Sequence, residues 1–155
     1  MGLNNNVNAI LAALISSGSI RYVRYPAGAA GIAMVSDGAA AAWAFAAYVQ
    51  IVAAAVIANP CWLAGFSLHT GAVETHYGDL AIASGGAGAE TDLAIVPYVA
   101  GIPTAVGVSV ALPTWLTYPI KITGTPRLAG RIRKSTAASA AGGNLSVICI
   151  TGVGT

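Results

Sequence analysis

The residues of this chain that are able to act as acids, bases or metal ligands are few, and several lie in one segment. His69 and His76 flank Glu74, and Asp79 follows. Imidazole and carboxylate groups are ordinary zinc ligands, but their order here matches no established ligand spacing. Ser67 precedes His69 without the Gly-x-Ser-x-Gly turn that exposes a nucleophilic serine. We therefore predict exposed loop histidines, no metal site, no catalytic residue and a protein that is not an enzyme.

Other motifs with chemical meaning are incomplete. Neither Gly85–Gly88 nor Gly124–Gly130 is followed by the Lys-Ser/Thr pair of a phosphate-binding loop, so we predict a turn between strands at Gly85–Gly88 and no cofactor. Cys61 and Cys149 both lie in apolar runs without zinc or redox spacing. They are predicted to be buried free thiols rather than a disulfide.

A basic stripe is predicted late in the chain. Arg127, Arg131 and Arg133 share one face of a strand if side chains alternate between the two faces of a sheet. The stripe has no interleaved aromatic residues of the kind that stack on bases, so no nucleic-acid partner is predicted. A row of salt bridges to another protein and plain solvated charge both remain open.

The composition differs from that of ordinary soluble domains. Of 155 residues, 56% are hydrophobic and 8% are charged, with a formal net charge of +2; an ordinary domain carries about 25% charged residues. Lipid, protein partners or small uncharged residues must therefore cover much of the surface, and a homo-oligomer is favoured. All acidic residues lie between Arg24 and Lys121, and the basic ones lie at or outside those limits. This segregation either sets the register between copies or reflects charges scattered over loops.

Residues 1–26 are predicted to form an amphipathic helix and an extended arm or strand that stops at Pro26. Asn5 or Asn6 is able to cap the helix, and Ser16–Gly18 ends it. The apolar residues of the helix recur at i, i+3 and i+4 spacing, so they lie against the same chain or a neighbouring subunit. The predicted assembly interface combines this helix, the arm and the basic stripe: Val7, Ile10, Leu11, Leu14, Ile15, Arg21, Tyr22, Arg24, Tyr25, Arg127, Arg131 and Arg133.

Residues 27–155 are predicted to be an all-β domain, because Gly, Pro, Asn and Asp clusters separate short runs rich in Val, Ile and aromatic residues. In the alanine-rich stretch, Trp43, Phe45, Val49 and Ile51 recur at even spacing, which predicts a strand. The other strand candidates are Pro60–Leu68, Asp79–Ala83, Leu93–Val99, Val106–Leu112, Tyr118–Ile122, Arg127–Arg133 and Leu145–Thr151. About eight such strands match a two-sheet sandwich of the jelly-roll type.

The stretch 38–58 is long enough to cross a bilayer and supports an alternative, a small membrane-anchored protein. About half of it is alanine, and no Lys or Arg lies near either end to orient it, so no membrane partner is predicted. The N-terminus also lacks the basic region of a secretory signal.

Two stretches of the second half have a familiar arrangement: Asp79–Glu90, and the run from Leu112–Pro113 to Pro119–Ile132. In this arrangement they resemble jelly-roll minor virion proteins of tailed bacteriophages, of the decoration or cement type. The resemblance implies a homotrimer on the outer capsid surface that contacts the major capsid protein and clamps neighbouring capsomers, often with an N-terminal segment that reaches a neighbour. It also implies synthesis in the host cytoplasm and a final location in the virion.

The leading hypothesis is a capsid decoration subunit that stabilises the shell by bridging neighbouring capsid proteins. Its apolar helix and low charge suit permanent interfaces, which are large and apolar. The alternative is a tail or fibre component that binds a host receptor. Clustering of exposed Trp62, Trp115 and Tyr118 at one end of the sandwich would favour that alternative, because sugar binding uses aromatic stacking platforms.

Overall fold

A computed structural model describes residues 3–27, 31–35, 41–54, 56–57, 61–71, 76–100, 113–124, 127–135 and 142–152 of the chain. These residues form one helix and nine strands in two packed antiparallel sheets, so the predicted all-β sandwich is confirmed. The elements are α1 (Leu3–Ser16), β1 (Arg21–Tyr25), β2 (Ile32–Val35), β3 (Val49–Val52), β4 (Cys61–Gly71), β5 (His76–Gly86), β6 (Ala89–Ala100), β7 (Thr114–Ile122), β8 (Leu128–Lys134) and β9 (Gly142–Thr151).

The strand pairings are nested. The five-stranded sheet has the order β1-β9-β4-β7, and the four-stranded sheet has the order β3-β8-β5-β6. β1 pairs with one end of β9 and β2 with the other, while β4 pairs along the whole of the opposite edge. β1 and β2 therefore act as one edge strand that is interrupted between Tyr25 and Ile32. The predicted arm is thus a strand of the sandwich, and the division proposed at residue 26 falls inside this interrupted edge strand.

The core lies between the two sheets. Leu63 of β4 and Val147 of β9 face Leu80 of β5 and Ile132 of β8, and all are fully buried. Burial of a side chain of this size contributes about 1.5–3 kcal/mol. The free thiols of Cys61 and Cys149 belong to the same core, as predicted. Burial raises the pKa of Cys149 to about 12 and also raises that of Cys61, so both thiols stay protonated at neutral pH.

Most strand predictions fall on observed strands. The runs that begin at Pro60, Asp79, Leu93, Tyr118, Arg127 and Leu145 correspond to β4, β5, β6, β7, β8 and β9. Val106–Leu112 lies outside the described residues. The predicted loop position of His69 is wrong, because this residue lies in β4 and is partly buried, and His76 begins β5. The local sequence suggested a loop there, whereas pairing of β4 with β9 extends the strand to Gly71.

The alanine-rich stretch runs beside β8 but is a regular strand only at its end. Trp43 N donates to Lys134 O at 2.8 Å, and Ala46 N donates to Ile132 O at 3.1 Å. The donors are three residues apart and the acceptors two, so one extra residue breaks the predicted alternation, and Trp43 has a φ of 65°. The predicted strand is therefore wrong before β3. Phe45 and Tyr48, which a regular alternation would place on opposite faces, both contact the guanidinium of Arg131.

The helix α1 ends where its sequence predicts. Ser17 N donates to Ala13 O at 2.9 Å, and Ile20 N donates to Leu14 O at 3.1 Å. Gly18 between them has a φ of 74°, the left-handed conformation that glycine adopts most easily at a helix C-terminus. Ile20 is buried and joins this turn to the sandwich. The turn therefore fixes where the C-terminal end of α1 joins the sandwich.

The membrane-anchored alternative depends on residues 38–58. In the described part of that stretch the chain is extended along β8 and forms β3. Elsewhere in the described residues, too, no helix is long and apolar enough to cross a membrane.

Candidate assembly and binding surfaces

The apolar stripe of α1 is not covered by its own chain wherever its side chains are described. Ile10, Leu14 and Ile15 are 60%, 39% and 38% exposed. The side chains of Val7 and Leu11 lie outside the described residues. The helix contains no charged residue. This surface therefore offers apolar side chains to a partner without any charge that would need to be desolvated.

The predicted arm residues lie on both sides of β1. Tyr22 and Arg24 are exposed on the outer face of the five-stranded sheet, and Arg24 Nη2 donates to Ser146 Oγ at 2.8 Å. Tyr25 instead packs against the core, where burial raises its pKa. Arg21 Nε donates to Gly18 O at 3.3 Å and so ties β1 to the end of α1. Only part of the arm is therefore available to a partner.

The predicted basic stripe does lie on one face of β8, on the outside of the four-stranded sheet. Each of its arginines is paired with a carboxylate of β5 or β6 in the same chain, and we call these three pairs the arginine ladder. The pairs are Arg127 Nη1 with Glu90 Oε1 at 2.7 Å, Arg131 Nη2 with Asp92 Oδ2 at 2.9 Å, and Arg133 Nη2 with Asp79 Oδ2 at 2.6 Å. The segregation of acids and bases along the sequence thus brings opposite charges together within one chain.

Aromatic side chains from the alanine-rich stretch cover the arginine ladder. The Cζ of Arg131 lies 4.4 Å from the ring centroid of Phe45 and 4.1 Å from that of Tyr48. The Cζ of Arg133 lies 4.6 Å from Phe45 and 5.6 Å from Trp43. Guanidinium groups favour the negative face of aromatic rings, so the rings and the carboxylates together neutralise the ladder. The alternation of side chains along β8 does not reveal these aromatic residues, because they come from the alanine-rich stretch.

Hydrogen bonding and burial in the ladder shift the pKa values of Glu90 and Tyr48. The hydrogen bond from Arg127 lowers the pKa of Glu90, and Arg127 Nε also donates to Gln50 Oε1 at 3.0 Å. Burial, followed by the hydrogen bond to Asp92, raises the pKa of Tyr48. Glu90 is therefore ionised and Tyr48 neutral at physiological pH. Glu90 thus accepts a hydrogen bond from Arg127 as a carboxylate, and Tyr48 donates one to Asp92 as a neutral hydroxyl.

The outer face of the five-stranded sheet is different. Its strands β1, β2, β4, β7 and β9 contain no Asp or Glu. Two of its aromatic residues, Tyr22 and Trp115, are 48% and 54% exposed, and Tyr118, in the irregular part of β7, is 82% exposed. The Nζ of Lys121 lies 5.9 Å from the ring centroid of Trp62, which is partly buried. We call this surface the aromatic face.

Tyr22 and Trp115 meet across the aromatic face from opposite edges of the sheet. Their ring centroids are 5.6 Å apart at an interplanar angle of 78°, an edge-to-face contact. Gly65 permits this contact, because a Cβ there would lie 3.3 Å from Trp115. Beside the pair lies an open groove of about 350 Å³, lined by Tyr22, Arg24, Ser67, Pro113, Trp115 and Ile148.

The described residues bring together no group of three or more His, Cys, Asp or Glu side chains that could hold a metal ion. Glu74 and the side chain of His76 lie outside that part of the chain. Comparisons of the chain with protein-family models, with curated proteins and with solved structures gave no match.

Proposed function

We propose that this chain is a structural subunit of a virion, of the capsid decoration type, that stabilises the shell by bridging neighbouring capsid proteins. The observation that carries the proposal is the exposed apolar stripe of α1. Ile10, Leu14 and Ile15 would be unfavourable in water on a helix of a lone monomer, and their burial in a neighbour removes that cost. The low charge of the chain supports the same reading, because a protein that is covered by partners needs few surface charges.

The order of the strands supports the jelly-roll form of the sandwich. If β1 and β2 count as one strand, the described residues form eight strands, and the first of these pairs with the last. The second then pairs with the seventh, the third with the sixth and the fourth with the fifth. This nesting is what results when one long antiparallel hairpin is wound into a sandwich, and jelly rolls of eight strands are typical of viral capsid domains.

The arginine ladder narrows the ways in which copies of the chain are able to associate. Its charges are already paired within one chain, so bridging by a row of intermolecular salt bridges is not needed. Association through the apolar side of α1 remains, and a ring of three subunits would bury one such helix at each contact. The proposed assembly is therefore a homotrimer with an apolar interface that is bound to the major capsid protein.

The test measures the mass of the purified full chain by size-exclusion chromatography with light scattering. We expect a species of three times the 15.4 kDa chain mass. Changing Ile10, Leu14 and Ile15 together to Ser should give a folded monomer, because these side chains are exposed in the isolated subunit.

A matched control changes Ala9, Ala12 and Ala13 to Ser on the opposite side of the same helix. This control should keep the oligomer and should show the same small loss of helix propensity. A wild-type chain that remains monomeric at all concentrations would overturn the proposal of assembly through α1.

A second candidate function is a tail or fibre component that binds a host receptor. The aromatic face favours it, because Trp115 and Tyr118 are both exposed on one strand and Trp62 lies on the adjacent strand β4. Binding of the purified chain to host cells, lost on substitution of Trp115, would distinguish this function from capsid decoration.

A further inference from the structure

We propose that the groove beside Trp115 on the aromatic face binds a pyranose unit of an oligosaccharide. The inference deepens the second candidate function and rests on it only for its biological setting. Whether the groove binds a sugar is treated as independent of assembly through α1, since the described residues that line it all lie outside α1.

The aromatic rings at the groove have the arrangement that a sugar ring requires. The C–H groups on one face of a pyranose carry partial positive charge and pack against the negative face of an aromatic ring. Trp115 is more than half exposed, and its edge-to-face contact with Tyr22 holds its ring in one orientation. By contrast, Phe45 and Tyr48 on the opposite sheet are covered by Arg131. The aromatic face therefore presents a fixed stacking platform that the arginine ladder lacks.

Polar groups beside the platform suit the hydroxyl groups of a sugar. Arg24 has a guanidinium whose position is set by the bond to Ser146 Oγ, and the Ser67 hydroxyl lines the same groove. A guanidinium offers its N–H donors as a planar fork that matches two adjacent hydroxyls or one carboxylate. No Asp or Glu is present on these strands to repel an acidic sugar.

The size of the groove also fits this ligand. Its volume of about 350 Å³ lies at the small end of the range for small-molecule sites. The groove is open rather than enclosed, so one unit of a longer chain is able to lie in it while its neighbours extend over the sheet. Pro113 and Ile148 complete an apolar floor.

The experiment applies the full-length protein to immobilised oligosaccharides, both neutral and uronate-containing, and then titrates the best binder in solution by saturation-transfer NMR. We expect at least one oligosaccharide to bind with a Kd of about 1 mM or below, the range of weak single-site recognition. Trp115→Ala should weaken binding by about tenfold or more. Arg24→Gln should weaken the binding of uronates more than the binding of neutral sugars.

The matched control is Trp43→Ala, which removes a half-exposed tryptophan from the opposite sheet and should leave binding unchanged. The helix variant with Ser at 10, 14 and 15 is titrated in parallel. Equal losses of oligosaccharide affinity in Trp115→Ala and Trp43→Ala would overturn the proposal. The absence of binding in both the wild type and the helix variant would overturn it too. Binding by the helix variant alone would support the sugar site and would mean that a neighbouring subunit covers the groove in the assembled protein.

Discussion

Arg131 lies between the ring of Tyr48, 4.1 Å from its centroid, and the carboxylate of Asp92, which it contacts at 2.9 Å. The Tyr48 hydroxyl donates to the same carboxylate, so the three groups form a closed triangle on the outside of the four-stranded sheet. Residues on three different strands or segments are thereby held together. The triangle explains why an aromatic residue from the alanine-rich stretch lies against β8.

Arg131→Lys should destabilise the sandwich by about 1–2 kcal/mol, because a lysine keeps the charge but loses the planar stack on Phe45 and Tyr48. The measurement is the urea midpoint at constant slope. Arg21→Lys is the control, because the Arg21 side chain is exposed and donates to Gly18 O at the end of α1; its effect should stay within about 0.5 kcal/mol.

Coupling between the ring and the guanidinium is measured by adding Phe45→Leu. If stacking contributes, the double variant should lose less stability than the sum of the single variants. Additive losses would contradict a role for the Phe45 ring.

Glu90 should make the stability of the protein depend on acidic pH. Arg127 lowers the pKa of Glu90 in the folded state, whereas the unfolded value is about 4.3. The folded state therefore holds fewer protons at this site, and its advantage is fully present above about pH 4.3 and is lost as pH falls through the lower folded value. Glu90→Gln should accordingly be most destabilising near neutral pH and least so in acid.

Chemical denaturation of both proteins at several pH values between neutral and strongly acid tests this expectation. The Arg127→Met background is the control, because without the guanidinium, the largest cause of the lowered pKa, the cost of Glu90→Gln should vary less with pH. A difference that grows as the pH falls would contradict the assigned direction of the pKa.

The arginine ladder also shows which features of the fold are predictable from the sequence and which are not. Alternation along β8 is enough to predict that Arg127, Arg131 and Arg133 share a face. Their partners are not predictable in the same way, because the order β8-β5-β6 is set by pairings between residues far apart in the chain. Without that order, the stripe was open to two interpretations, neither of which included pairing within the chain.

The alanine-rich stretch shows a second limit. Even spacing of Trp43, Phe45 and Ile51 predicts a regular strand, yet one extra residue beside β8 interrupts it. Such an irregularity removes hydrogen bonds that a regular strand would make with its neighbour. Here it is offset by contacts of Phe45 and Tyr48 with Arg131, which no local pattern contains. The apolar stripe of α1, which depends on local spacing alone, was predictable, and its ending at Gly18 was as well.

Gly78 should tolerate no side chain. It lies under the ring of Tyr98, whose hydroxyl donates to Arg133 O at 3.2 Å on the far side, and an added Cβ would lie 2.6 Å from that ring and overlap Arg133 O. Gly78→Ala should cost about 3 kcal/mol, because both the ring and the backbone must move. Gly86→Ala in the same strand is the control, since its Cβ would meet nothing within 4 Å. Equal thermal midpoints for the two variants would contradict this account of Gly78.

Lys134 should be a site where a substitution increases stability. It is only 3% exposed, and its Nζ has no hydrogen-bond partner in the described part of the chain. A buried ammonium without a partner loses its hydration and gains no compensating bond. Lys134→Met keeps the length of the side chain and removes the charge, so the free energy of unfolding should rise by on the order of 1 kcal/mol.

The control for Lys134 is Lys121→Met on the aromatic face. Lys121 is exposed, and its ammonium lies 5.9 Å over the Trp62 ring, so its replacement should lose up to about 1 kcal/mol instead. The two substitutions are chemically identical, and they should therefore shift the urea midpoint in opposite directions. A loss of stability in Lys134→Met as well would mean that the ammonium of Lys134 makes a favourable contact in solution.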